Sequence, residues 1–133
     1  MERIMVPTAP AELIDKLTIL RLKIENITDQ EKLANVLHEQ AALQATADAY
    51  LPQEVPLSAL YEALYCINAR LWQIEDDIRA CEARQDFGPA FIELARAVYL
   101  NNDRRAEVKR QINTLLGSDL VEEKSYTDHG AQT

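Results

Sequence analysis

Glycine and the bulkiest aromatics are scarce in this chain of 133 residues: three glycines, two phenylalanines and one tryptophan. The remainder runs in long Ala/Leu/Ile/Glu/Arg stretches that favour helix and speak against an all-β sandwich. Positive charge is short as well. Fourteen Lys and Arg stand against 22 Asp and Glu, for a net charge of −8. Binding DNA or RNA through the phosphate backbone needs a surplus of cations, so no nucleic-acid partner is expected. No apolar run approaches the roughly 18 residues that cross a bilayer, and Met1–Pro7 carries none of leader length. The expectation is a soluble, cytoplasmic protein with no membrane partner. Cys66 and Cys81 fall in one predicted helix, roughly 22 Å apart, too far to bridge. Two unpaired thiols suit a reducing compartment. His38 and His129 have no cysteine or second histidine at ligand spacing, so no metal and no cofactor are expected.

Four helices account for most of what is present. The first is predicted from Pro10 to Ile27, with Thr8 as N-cap and Leu13, Leu17, Leu20, Ile24 and Ile27 as its apolar stripe. The second opens at Thr28-Asp29-Gln30-Glu31, which reads as a capping box, and runs to about Tyr50 before Pro52 and Pro56 break the chain. The third starts at Leu57. Its Leu60, Leu64, Ile67, Leu71, Ile74, Ile78 and Cys81 alternate steps of three and four, a narrow seam for another helix. Gln85–Pro89 ends it, and the fourth helix runs to Leu116 with Gly117 as its left-handed cap.

A fourth helix of about 42 Å outspans a compact globule of this size, about 36 Å across. The fold class expected is therefore all-α: an elongated up-down bundle with two long antiparallel helices over residues 1–117, followed by a polar tail over 118–133. Tyr61, Tyr65 and Trp72 stand beside the main seam of the third helix. They give it more apolar face than one neighbour covers, which predicts a homodimer with these three residues at an interface.

The fourth helix breaks its own pattern. The heptad from Phe91 and Val98 lands on Arg105, and the position between them is Asn101 or Asn102. Polar residues inside a seam mark functional or strained places. If the helix ends are flush, Arg21, Arg70, Asn102 and Arg105 share one level, with Glu25 as an internal counter-charge and His38 nearby. Such a cluster suits a small anionic ligand, carboxylate or phosphate. The plainer account is that Arg21 and Arg70 point into water and that Asn102 and Arg105 set helix register. Glu12 and Asp15 have the spacing for a shared metal but read as complements to the helix dipole. Glu75-Asp76-Asp77 reads as a solvated face, and Arg104, Arg105, Lys109 and Arg110 as a small basic patch.

The strings Glu12–Leu20, Asp86–Leu94, Asn102–Ala106, Lys109–Asn113 and Glu122–Tyr126 together resemble a family of small, uncharacterised bacterial helical proteins, a domain of unknown function. The resemblance covers nearly the whole chain and implies a bacterial cytoplasmic protein. Such domains occur beside tetratricopeptide-repeat proteins or glycan-modifying enzymes, but the family offers no catalytic residue to carry over. Two functions follow. The first is a non-catalytic, dimerising interaction module that docks a protein partner, linked to surface-glycan assembly. The alternative is a small cofactor-free enzyme or ligand-binding protein with the arginine-lined anion site.

Overall fold

The computed structural model describes residues 1–130, and its order is α1 (Pro10–Asn26), α2 (Gln30–Tyr50), α3 (Ser58–Ala83) and α4 (Pro89–Leu115). Among the described residues there is no strand, so the molecule is an all-α bundle. Pro10 and Pro89 each open a helix where their missing N–H costs no bond. The caps differ from expectation at two starts. Ala9, not Thr8, precedes α1 and offers no side-chain bond. At α2 the Asp29 carboxylate, not the Thr28 hydroxyl, accepts from the Glu31 N–H, because the first turn begins one residue later than a capping box requires.

Both long helices end alike. After α4 the Gly117 N–H bonds to Thr114 and the Ser118 N–H to Asn113, with Gly117 at φ 67°. This is the paired return of a Schellman motif. After α3 the N–H groups of Gln85 and Asp86 bond to Glu82 and Cys81, and Gln85 takes the left-handed position at φ 55°. The Asp86 carboxylate then accepts from the Gly88 N–H, turning the chain into α4.

α3 and α4 form the long hairpin, and α1 lies along it, touching both. α2 packs on α1 alone. α1 is therefore the hub, and its residues Ala11, Ile14, Leu17, Thr18, Leu20 and Leu22 are buried. The core gathers at the end where α1 begins: Ala11, Ile14, Leu64 and Ile112, walled by Leu57, Leu60, Tyr61, Val108 and Leu116. The Ala11 N–H donates to the Asn113 side-chain oxygen at 2.9 Å, which fixes the register of α1 against α4.

Length decides what α1 leaves uncovered. It has 17 residues against 26 in α3 and 27 in α4. A deficit of about nine residues corresponds to ~14 Å of hairpin. The last buried side chain of α1, Leu22, borders a groove with Leu71, Trp72 and Val98. Beyond it Ile74 and Cys81 are buried, while Ile78, Phe91 and Leu94 stay half-exposed.

Past Gly117 the chain runs back along α4. The Glu122 carboxylate meets the Lys109 ammonium at 3.0 Å, and His129 Nε2 lies 2.8 Å from Asp103 Oδ2. Tyr99 and the His129 ring lie 5.8 Å apart.

Candidate functional site

A charged seam joins α1, α4 and the tail. Glu12 and Asp15 lie one turn apart on α1, and Arg105 and Lys109 one turn apart on α4, so antiparallel packing sets acids against bases. Arg105 Nε donates to Asp15 Oδ1 at 3.1 Å, and a second guanidinium nitrogen donates to Asp15 Oδ2. This fork-on-carboxylate pairing is the strong form of an ion pair. It is also well covered, with side-chain exposure of 30% for Arg105 and 5% for Asp15.

The Asp15 carboxylate has one further donor. Asn68, buried on α3, gives one N–H to Asp15 Oδ1 at 2.8 Å and another to the Thr18 hydroxyl at 2.8 Å. That hydroxyl donates to the backbone oxygen of Asp15 at 2.7 Å. No buried side-chain nitrogen or oxygen among the described residues lacks a hydrogen-bond partner, as burial demands.

One turn along α4, the Lys109 ammonium sits between two carboxylates, Glu12 at 2.7 Å and Glu122 at 3.0 Å, with 10% of its side chain exposed. Burial pulls the Lys109 pKa down, but the hydrogen bonds it donates to Glu12 and Glu122 outweigh it and hold the ammonium charged above its usual range. Lys109 in turn holds Glu122 below the usual carboxylate range. The Arg105 guanidinium is raised by its bonds to Asp15, against the cost of burial.

The predicted cluster of Arg21, Arg70, Asn102 and Arg105 is only partly assembled. Arg105 and half-buried Asn102 border the same groove beside Trp72. Arg21 lies elsewhere, paired with Glu62 at 3.2 Å and stacked over the Tyr65 ring at 3.7 Å. Arg70 is exposed. The helix ends are not flush: Arg105 is level with Asp15, near the start of α1, rather than with Arg21. The internal partner of Arg105 is accordingly Asp15 and not Glu25, which accepts from the Tyr65 hydroxyl at 2.5 Å. His38 sits on α2, outside α1, and meets Arg3 instead. Asn101, the deeper of the two asparagines, turns back to the Ala97 carbonyl at 2.8 Å.

Tyr61, Tyr65 and Trp72 are half-buried rather than freely exposed. Tyr61 walls the core and Tyr65 is capped by Arg21, while Trp72 opens on the groove. Glu12 and Asp15 do more than complement a helix dipole, since Glu12 pairs with buried Lys109 and Asp15 with half-buried Arg105. The acids at a three-residue step and the bases at a four-residue step were the available signal. Asn68 gave none, because it flanks the seam of α3.

Among the described residues no group of three or more His, Cys, Asp or Glu side chains is placed to hold a metal, and no helix is long and apolar enough to cross a membrane. Four of the strings that carry the family resemblance, from α1, the two halves of α4's polar stretch and the tail, converge on this seam. Comparison with curated proteins and with solved structures finds no match. A model for a family of unknown function, DUF6165, matches residues 4–131, and the chain belongs to that family.

Proposed function

We propose that this protein is a non-catalytic helical interaction module that pairs with a second copy of itself through the distal part of the α3–α4 hairpin. The observation that carries this reading is the early end of α1. Near that end a groove of about 420 Å³ lies between α1 and the hairpin, with Ile19, Leu22, Leu71, Trp72 and Val98 as its apolar lining and polar side chains including Glu75, Asp76 and Arg105 beside them, and farther along the hairpin Ile78, Phe91 and Leu94 are half-exposed. A two-helix face of this kind completes its packing when another hairpin lies across it, and a two-fold arrangement lets the same patch serve both copies. Trp72 is the anchor, since large aromatics dominate the energetics of such contacts.

The mid-bundle cations support the same reading from the other side. Arg105 is balanced by Asp15, Lys109 by Glu12 and Glu122, and Arg21 by Glu62. The enzyme reading keeps one support, Arg105 and Asn102 on the same groove, but that arginine brings its counter-charge with it. A link to surface-glycan assembly is part of this proposal and rests on the sequence resemblance alone.

Sedimentation velocity tests the pairing. The wild type sediments as a dimer at micromolar concentration, and Trp72→Ala or Val98→Glu as a monomer with unchanged helical circular dichroism. A wild type that stays monomeric to about 100 μM, where a dissociation constant implies only ~5 kcal/mol of association, overturns it.

A further inference from the structure

The end of α4 and the returning tail enclose a cavity of about 330 Å³, lined among others by Lys109, Arg110, Asn113, Ser118, Glu122 and Lys124. Three cations meet there in a chain whose net charge is −8. Their states differ. Lys109, at the inner wall, is shared between Glu12 and Glu122. Arg110 and Lys124, at the rim, make no ion pair among the described residues; the Lys124 ammonium lies 5.8 Å from the Tyr126 ring.

We propose that this cavity binds a small phosphomonoester. One arginine and two lysines line a space at the lower end of the volume range for small-molecule sites. A dianionic phosphate matches the charge of exposed Arg110 and of Lys124, whose ammonium also acts on the Glu122 carboxylate, and reaches Lys109 behind them. Val121 and Ala106 also line it and give the ester's carbon skeleton an apolar contact. Glu122 is the built-in competitor: its carboxylate holds Lys109 as an external anion would, and its charge repels a phosphate. The site is separate from the Trp72 groove, so its occupancy does not depend on self-association.

Calorimetric titration with glycerol 3-phosphate and with inorganic phosphate tests the assignment. The wild type shows saturable binding of the ester with a millimolar or lower dissociation constant, tighter than inorganic phosphate. Arg110→Ala combined with Lys124→Ala, both on the surface, weakens binding at least tenfold with helicity unchanged. Glu122→Gln tightens it several-fold, a gain that a merely structural Glu122 does not produce. Absence of saturable binding in both the wild type and Glu122→Gln overturns the proposal, as does affinity untouched by the double substitution. Equal affinity for the ester and inorganic phosphate overturns the assignment of an ester.

Discussion

Asp15 and Arg105 are partners with unequal exits. The arginine keeps a third of its side chain in solvent, whereas the carboxylate is almost wholly enclosed. Arg105→Ala strands a buried negative charge on Asn68 alone and is expected to cost about 3 kcal/mol. Asp15→Ala lets the long arginine swing toward water and is expected to cost less, about 1–2 kcal/mol. Urea denaturation of the two variants measures the difference, and equal losses would contradict the asymmetry. Arg105→Lys behaves nearer to alanine than to wild type, since an ammonium cannot span both carboxylate oxygens as the fork does.

Glu122 gives the tail a dependence on pH. Its pKa is lowered by Lys109, so its contribution is complete above the ordinary carboxylate value of about 4.3 and is lost as pH falls through the lower folded value. Lys109 is raised, so its contribution is complete below about 10.4 and is lost only as pH rises through its folded value. Tail docking is therefore flat across neutral pH and is lost only in acid, as pH falls through the lowered Glu122 value. Chemical shifts of residues 120–124 should report that release, and Glu122→Gln should remove the acid step.

Helix boundaries were legible at this same scale because proline and glycine act locally. Pro10, Pro89 and Gly117 sit where their backbone chemistry requires. Arg105 was legible as an intrusion into an apolar heptad. Its partner was not, since that depends on how far α1 slides along α4, a register set by the contact between Ala11 and Asn113.

Among the elements, α2 is the weakest-held. It buries only Val36 and Ala47 and leans on α1 alone. Few buried apolar contacts imply opening at a free energy below that of global unfolding. Amide exchange in α2 is expected to be faster than in α3 and α4, and Val36→Ala, at about 1.5 kcal/mol, should speed exchange in α2 while leaving the hairpin protected. Loss of protection throughout the molecule would show that α2 is part of the single cooperative unit. The cap-and-proline pattern around α2 did announce a helix. It did not announce the solitary neighbour, because an apolar stripe says how much face is buried and not how many elements bury it.

Across the whole molecule, net charge opposes self-association. Two copies at −8 each repel, and salt screens that repulsion. Dimerisation through an apolar face should therefore tighten as ionic strength rises from about 20 mM to 500 mM. Sedimentation equilibrium over that range reads the trend, and weakening with salt would point to ion pairs across the interface instead. The elongated shape was legible from helix lengths alone. The position of the uncovered face was not, because it depends on the unequal lengths of α1 and the hairpin once they are packed.

The central place of α1 also has a consequence in time. Synthesis proceeds from the N-terminal side, so α1 is made before α4, and roughly 90 residues separate the end of α1 from the end of α4. At bacterial or eukaryotic elongation rates that interval lasts about 5–20 s. For most of it the apolar side of α1 has α2 as its sole cover, and Asp15 has no arginine. The helix on which the others depend is thus the first of the four to emerge from the ribosome and among the last to find its partners. The nascent chain is most open to chaperone capture during that wait.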